Sequence, residues 1–277
     1  MKPYVIGIDM GGTNTVFGIV DARGVVIASS SIKTAKHNNF DDYIDELHEE
    51  LTRLVKANDA YPAAIGELTY GTARGMKDFI MITLGTGVGS GIVINGAVVY
   101  GHDGFAGELG HMIVKRTNGR LCGCGRAGCL EAYCSATGVA RTAREFLEIR
   151  NEPSLLRNIP IDEITSKDVY DAAIAGDKIA KEIFEYTGTI LGEAMADMTV
   201  FSSPQAFILF GGLAKSGELL MRPLREAMNR SMLSIFKGKP KVLLSELKDA
   251  DAAILGASAL GWEAKPMAAP AAAAPEA

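Results

Sequence analysis

Three of the four cysteines of this 277-residue chain fall in the segment CGCGRAGC, residues 122–129, and His111 precedes them. These thiols could be buried and inert, or they could form a disulfide, although one residue between Cys122 and Cys124 leaves a bridge there strained. They could instead hold a structural zinc ion, which takes four nitrogen or sulfur ligands in a tetrahedron. Interspersed glycines let a loop turn tightly around an ion. We therefore predict a zinc site formed by His111, Cys122, Cys124 and Cys129.

Cys134 and His102 are weaker candidates for ligands of this site. Cys134 lies beyond the glycine-rich segment, and we predict that it is a small residue of the core. His102 is a substitute zinc ligand, and a weaker one than His111.

Two stretches share one pattern of strand, glycine-rich turn, strand, short turn and strand: residues 4–31 and residues 78–101. Apolar runs in the first stretch predict strands over Tyr4–Ile8, Thr15–Val20 and Val25–Ser30. A repeated supersecondary unit indicates two related lobes.

The glycine-rich turns of the two stretches could hold phosphate groups through bare backbone N–H groups and a hydroxyl. Their residues are Gly11, Gly12 and Thr13 in the first stretch, and Gly85, Thr86 and Gly87 in the second. Either turn alone could be a structural hairpin, but facing each other the pair could bind a nucleotide in a cleft. A third glycine pair, Gly211 and Gly212, follows a buried strand over 206–210 and precedes a helical pattern, which suits the adenosine end. The chain has no G-x-x-x-x-G-K-[ST] motif, so neither turn is a P-loop.

Composition narrows the possible partners and the compartment. The net charge of −5 and the absence of a basic patch disfavour a nucleic-acid partner. No apolar run reaches the length of a membrane span, and Met-Lys-Pro leads directly into the first strand without a secretory signal. We therefore expect a cytoplasmic protein with reduced cysteines.

Five motifs together resemble the ROK family of bacterial sugar kinases, and within it the glucokinases. They are IGIDMGGTNT, LGTGVGSGI, GFAGELGHM, CGCGRAGCLEAYCS and LFGGLA. The resemblance implies an α/β, two-lobed actin-like ATPase (ribonuclease H-like) fold. It also implies a homodimer that uses ATP and magnesium to phosphorylate a hexose, with glucose converted to glucose 6-phosphate in glycolysis.

The resemblance also implies roles for individual residues. Glu108, His111 and Glu131 would bind the hydroxyls of the sugar, and His111 would give its other ring nitrogen to zinc. Asp9 would position magnesium or its waters. A ligated imidazole has a fixed orientation, so the zinc loop would brace the sugar site.

The first lobe departs from the family pattern. Family kinases carry further strands, a sugar-binding G-x-P-G loop and an N-D-A-N-A-A-A-x-G-E segment whose aspartate is the catalytic base. Here a helix leads directly to NDAYPAAIGE, residues 58–67. In one alignment Asn58 binds substrate and Asp59 is the base. In the other, both lie in a loop and the base is lost. The shortened lobe is expected to have a thin core and an exposed sheet edge.

The remaining pattern is mainly helical. Helical spacing predicts helices over Phe40–Lys56, Ala64–Arg74, Thr137–Glu148, Asp168–Ala175, Ile179–Thr199, Leu219–Met232 and Ala252–Gly261. We predict a truncated N-terminal lobe over residues 1–62, a C-terminal lobe with the zinc loop over 63–264, and a disordered tail over 265–277.

Two functions compete on this evidence. One is the hexose kinase, impaired to some degree by the missing segment. The other is a catalytically inactive, zinc-braced sugar-binding protein or a defective kinase remnant. A ROK repressor is disfavoured because the first strand begins at about Tyr4, with no helix-turn-helix before it.

Overall fold

The described part of the chain forms two compact units. The computed structural model describes residues 4–10, 14–21, 26–36, 39–56, 72–102 and 105–246. The described residues up to 56 belong to one unit, and those from 72 onward belong to the other. The domain boundaries proposed from sequence, at residues 62 and 264, lie outside the described ranges and stay predictions.

The first unit is an antiparallel sheet with one helix. Strands β1 (Tyr4–Met10), β2 (Asn14–Asp21) and β3 (Val26–Lys33) lie in that order in the sheet. Helix α1 (Phe40–Lys56) follows. The three strands and the helix predicted from the apolar pattern are thus confirmed, with β3 extending three residues further than predicted.

The core of the first unit lies between α1 and the sheet. Phe17 and Ile32 from the strands and Tyr43 and Leu47 from the helix form one buried cluster. The fully buried hydroxyl of Thr15 lies 2.8 Å from the Tyr43 hydroxyl, so this polar pair is satisfied inside the core. Among the described side chains, few apolar residues hold the helix in place.

One edge of this sheet is poorly covered. Ile8 is paired with Phe17 across the β1–β2 ladder, so both side chains point to the same face. Phe17 is buried, yet Ile6 and Ile8 are 51% and 46% exposed. Among the described strands, β1 pairs only with β2. This is the kind of exposed edge expected for a shortened lobe, although the shortening itself stays a prediction.

The second unit is a mixed sheet with helices. Its elements are β4 (Phe79–Leu84), β5 (Val88–Ile94), β6 (Ala97–Val98), α2 (Glu131–Cys134), α3 (Ala136–Ile149), α4 (Ser166–Ile174), α5 (Lys178–Ser202), β7 (Ala206–Phe210), α6 (Glu218–Ser231) and β8 (Lys241–Leu244). The strand order is β6-β5-β4-β7-β8, with β4, β7 and β8 mutually parallel and with β5 antiparallel to β4 and β6. The β4–β5–β6 meander repeats the topology of β1–β2–β3, which confirms the internal repeat.

The central strand β4 is buried on both faces. Ile80, Ile82 and Leu84 belong to the large core shared with the helices. Phe79 and Met81 point the other way into a smaller cluster, as the two-residue repeat of a strand requires. This strand therefore anchors the glycine turn that follows it.

Some predicted elements differ from the structure or lie outside its described ranges. The helix predicted over 64–74 extends too far, because Thr72–Gly75 form a turn in which Gly75 has a φ of 84°. Its earlier part, the helix predicted over 252–261 and the tail over 265–277 lie outside the described residues. Helices α3 to α6 match their predictions closely.

Helices α5 and α6 approach each other closely because α5 carries glycines at the contact. A Cβ atom added to Gly192 would lie 2.2 Å from the carbonyl oxygen of Leu224, and one added to Gly188 would lie 2.8 Å from that of Leu220. Backbone atoms cannot yield as the end of a side chain can, so any larger residue would separate the two helices.

We predict that Gly192→Ala destabilises the protein. Alanine is favoured over glycine in a helix by about 1 kcal/mol, but overpacking against backbone costs about 1–3 kcal/mol, so the clash should prevail. Thermal and urea denaturation should show a lower free energy of unfolding. Glu193→Ala, at an exposed position of the same helix, is the control and should change it by less than about 0.5 kcal/mol. A stabilised Gly192→Ala variant would contradict the packing described.

Candidate functional site

Two glycine turns lie at the same edge of the second sheet. Gly85–Gly87 join β4 to β5, and Gly211–Gly212 follow β7. Because β4 and β7 are parallel neighbours, their carboxyl ends meet at one edge, where ligands bind in open α/β sheets. Gly211 has a φ of 101°, and a Cβ atom there would lie 2.6 Å from the carbonyl oxygen of Leu84. Glycine at 211 thus brings the two turns together.

The start of α3 holds the first turn in place. The backbone N–H of Ala136 donates to the carbonyl oxygen of Gly85 at 2.8 Å, and the Thr137 hydroxyl donates to that of Thr86. The exposed face of Gly85 and Thr86 stays open to solvent. The turn is therefore fixed from one side and accessible from the other.

A cavity of about 380 Å³ adjoins the second turn. Its lining includes the backbone of Gly212 together with Tyr170, Lys167 and Lys215. Apart from its two chain neighbours, no atom of the described residues lies within 4 Å of the position that a Cβ would take at Gly212. This space next to bare backbone could admit an aromatic base or an anion.

The four predicted zinc ligands converge. One ligand atom from each of His111, Cys122, Cys124 and Cys129 lies within 4.8 Å of all the others. The Cys124 and Cys129 sulfurs are 3.7 Å apart, and His111 Nδ1 lies 3.8 Å from the Cys122 sulfur. Zinc–sulfur bonds of about 2.3 Å at tetrahedral angles place two sulfurs about 3.7 Å apart. The residues therefore fit a tetrahedral metal ion, and all four cysteines are free thiols rather than disulfides.

Glycines shape the loop around this cluster. The N–H of Gly125 donates to the Cys122 carbonyl at 3.0 Å, which closes a turn between the ligands. Gly125 and Gly128 have φ values of 85° and 87°, in the region that favours glycine. A Cβ atom on Gly128 would also lie 2.0 Å from the carbonyl oxygen of Lys115. The loop can therefore wrap closely around an ion only with glycine at these positions.

The thiols of the cluster have unequal environments. Burial raises the pKa of Cys122 to about 12 and also raises the pKa of Cys129. A hydrogen bond from the backbone of Arg126 lowers the pKa of Cys124, the one exposed thiol. Since thiolates are the metal-binding form, a cation must displace protons from the two buried sulfurs.

The imidazole of His111 faces two groups. Its Nδ1 points toward the Cys122 sulfur, while its Nε2 lies 3.9 Å from Oε2 of Glu108. The Glu108 carboxylate is 60% exposed, so it is available to a ligand. A metal at Nδ1 would hold the ring so that Nε2 stays directed toward this carboxylate.

Glu131 connects the cluster to the first glycine turn. One carboxylate oxygen accepts the N–H of Val88 at 3.0 Å, and the other lies 3.3 Å from the Cys122 sulfur. A Cβ atom on Gly87 would lie only 2.4 Å from the Glu131 carboxylate. Glycine at 87 therefore lets this carboxylate contact the turn.

Two positioning residues were missed in the sequence analysis. Ser90 is buried on β5, where its hydroxyl donates to the carbonyl of Gly107 and accepts the N–H of Leu109 at 3.1 Å. A Cβ on Gly110 would lie 2.0 Å from the carbonyl oxygen of Val88. Together they fix the segment that carries Glu108 and His111. Nothing in the local pattern distinguishes Ser90, because its partners lie far along the chain.

Other predicted site residues do not join this group or lie outside the described residues. His102 is exposed and is not among the clustered ligands, whereas Cys134 is fully buried, as predicted. Asp9 lies on β1, but its side chain is not described. The residues outside the described ranges are Gly11, Gly12, Thr13, Asn58 and Asp59. Among the described helices, none has the length and apolar character that crossing a membrane requires.

These features define the class of the protein: an α/β protein with two glycine turns at the carboxyl edge of its parallel strands. The chain belongs to the ROK family, whose model matches residues 38–264. A glucokinase from Halalkalibacterium halodurans is 37% identical over 224 residues, covering 80% of this chain and 66% of that relative. A glucokinase from Thermotoga maritima is 29% identical over 311 aligned positions, covering 94% of this chain and 97% of that protein.

Solved structures agree with this assignment. A ROK family glucokinase from Streptomyces griseus, solved with glucose and AMPPNP, is 28% identical and has a TM-score of 0.69, covering 94% of this chain and all of that one. The α/β, actin-like ATPase fold expected from the sequence is thereby confirmed. The family also includes regulators. The DNA-binding transcriptional dual regulator NagC of Escherichia coli is 30% identical over 203 residues, which cover 73% of this chain and 48% of that protein.

We predict that the purified protein carries about one zinc ion per chain and that Cys124→Ser loses it. Cys124 is exposed, so the substitution removes a ligand without opening a cavity in the core. Elemental analysis of protein prepared without chelator provides the measurement. Cys134→Ala, which removes a thiol outside the cluster, is the matched control and should retain the metal. Full zinc content in Cys124→Ser, or none in the parent, would refute the assignment.

Proposed function

We propose that the protein is an ATP-dependent hexose kinase that transfers the γ-phosphoryl group of ATP to the 6-hydroxyl of glucose. One observation carries the proposal: the Glu131 carboxylate contacts the Gly87–Val88 backbone at the first glycine turn. A sugar bound by Glu131 would thus lie beside the turn that binds phosphate. The relatives named glucokinase support the choice of glucose.

The sugar is recognised by directional hydrogen bonds. In this proposal the carboxylates of Glu108 and Glu131 accept from sugar hydroxyls, and His111 contributes Nε2. The cluster of His111 with the three cysteines would hold a structural zinc ion that keeps the imidazole oriented. Such an ion would act as a scaffold, because four protein ligands complete a structural zinc site.

The nucleotide is bound at the sheet edge. The turn at Gly85–Gly87 would contact its phosphates, and Gly211 and Gly212 would contact adenosine, with the adjoining cavity taking the base. By the family resemblance, Gly11, Gly12 and Thr13 would also contact phosphate, and Asp9 would position magnesium or its waters. Magnesium bound to ATP supplies positive charge that offsets charge on the transferred group.

Asp59 is the proposed general base. It would take the proton of the attacking hydroxyl as the oxygen bonds to the γ-phosphorus and ADP leaves. Asn58 would help to hold the sugar. The other alignment, in which both residues lie in a loop, remains open because they lie outside the described ranges.

A second candidate is a hexose-binding protein without efficient phosphoryl transfer. One observation favours it. The alignment with the Thermotoga maritima glucokinase spans 311 positions, more than this entire chain, so some positions of that enzyme have no counterpart here. A base not held within about 3 Å of its hydroxyl proton loses its effect, so a shortened first lobe would leave catalysis weak.

The proposal includes an oligomeric state, a compartment and a set of partners. The expectations of a homodimer in the cytoplasm, with a role in glycolysis and without nucleic-acid or membrane partners, remain predictions. Size-exclusion chromatography with light scattering would measure the oligomeric state.

We predict that any glucose-dependent ADP production by the parent is slow and that Asp59→Asn lowers it by about 10²–10⁴-fold, the usual contribution of a general base. The assay compares ADP release with and without glucose. Asp197→Asn, at an exposed position on α5, is the control and should behave as the parent. A change of less than about tenfold in Asp59→Asn would favour the loop alignment. No turnover in the parent, combined with glucose binding, would favour the second candidate.

We also predict that Gly212→Val weakens ATP binding by about tenfold or more, equivalent to about 1.4 kcal/mol. The new side chain has space in the free protein but would occupy the cavity beside the turn. Calorimetry with ATP and magnesium measures the affinity, and the melting temperature should stay near that of the parent. Gly211→Ala should instead lower the melting temperature, since its φ of 101° disfavours a side chain. Unchanged ATP affinity in Gly212→Val would refute the adenosine assignment.

A further inference from the structure

The loop that carries the cysteines also contains a buried arginine, Arg120, which has no role in the function proposed above. Arg120 is only 7% exposed. Its guanidinium carbon lies 4.5 Å from the ring centre of Tyr133 and 6.0 Å from that of Tyr186. Glu145 of α3 accepts from this guanidinium at 2.6 Å, so its charge is paired.

Three further hydrogen bonds of Arg120 reach the short helix α2 and the first turn of α3. Its Nη1 donates to the carbonyl oxygens of Ala132 at 3.1 Å and Gly138 at 3.4 Å. Its backbone N–H donates to the Tyr133 hydroxyl at 2.8 Å. A planar guanidinium can serve several acceptors at once in a fixed geometry. Arg120 therefore ties the metal loop to both of these helices.

The same two helices carry the groups that contact the first glycine turn. Glu131, the neighbour of Ala132, accepts the N–H of Val88. Ala136 and Thr137, at the start of α3, bond the carbonyl oxygens of Gly85 and Thr86. The hydrogen bonds of Arg120 and the backbones of α2 and α3 thus connect the metal loop to the turn.

We propose that Arg120 is a positioning residue that couples occupancy of the metal site to binding at the Gly85–Gly87 turn. Arg120 contacts neither ligand. It transmits the conformation of the metal loop to α2 and α3, whose ends hold the turn. The inference rests on the proposed function, since it takes ATP as the ligand of that turn.

A thermodynamic cycle tests this coupling. Calorimetry with ATP and magnesium is performed on the parent, Cys124→Ser, Arg120→Met and the double variant. In the parent background, losing the metal through Cys124→Ser should raise the Kd for ATP by about tenfold, within the usual range of coupling between sites. Arg120→Met should retain zinc and show a similar rise in Kd. The double variant should be no weaker than either single variant, because the connection is already lost.

Arg157→Met is the matched control. Arg157 also donates to two backbone carbonyls, those of Leu147 and Arg150, at the carboxyl end of α3 and away from the end that holds the turn. A purely structural role would lower the melting temperature of both arginine variants alike and leave both Kd values unchanged at low temperature. We expect the Kd to change only for Arg120→Met.

Arg120→Lys provides a second variant in case Arg120→Met folds poorly. It keeps the charge, but a single ammonium cannot reproduce the guanidinium contacts with both carbonyls and Glu145, so the Kd should still rise. If the increases in Kd of the two single variants multiply in the double variant, the inference about Arg120 is wrong. An unchanged Kd in Arg120→Lys would also contradict it. Neither result would contradict the proposed function. A folded, zinc-containing parent with no measurable ATP affinity would overturn the proposed function, and this inference with it.

Discussion

The convergence of one imidazole and three sulfurs on a single point is the constraint on which the site depends. These groups lie within 4.8 Å of one another on a loop shaped by glycines at positive φ. Such a loop has little apolar burial of its own, so a metal ion would supply much of its order. The loop leads directly into α2, and α2 begins with Glu131. An ordered loop therefore also fixes the position of the Glu131 carboxylate, which contacts the first glycine turn.

The mixed sheet of the second unit holds the two glycine turns in place. Strand β4 is buried on both faces, so the turn at its carboxyl end has a rigid base. The parallel pairing of β4 with β7 places the other glycine turn at the same edge. Helices α5 and α6, packed backbone to backbone at Gly192, cover the sheet behind that edge. The two glycine turns thus lie at the edge of a closely packed core, where small displacements are resisted.

Local pattern predicted much of this organisation, and distant contacts account for what it missed. Residue type and spacing indicated that His111 and three cysteines converge, and the repeated strand–turn–strand pattern indicated the two meanders. Neither Ser90 nor Arg120 carries a local signal, because their partners are brought near only by the fold. The helix predicted over 64–74 extended too far because helical periodicity continued into a turn that Gly75 ends with a φ of 84°. The role of Asp59 depends on which element precedes it in the first lobe, and local spacing fits both a catalytic segment and a loop.

The central claim is that the metal is a closed scaffold rather than part of the substrate site. X-ray absorption at the zinc edge, on the protein with and without glucose, tests it most directly. The account predicts three sulfurs at about 2.3 Å and one nitrogen at about 2.0 Å, unchanged when glucose is added. Oxygen ligands in place of sulfur, or loss of the nitrogen ligand on adding glucose, would contradict it.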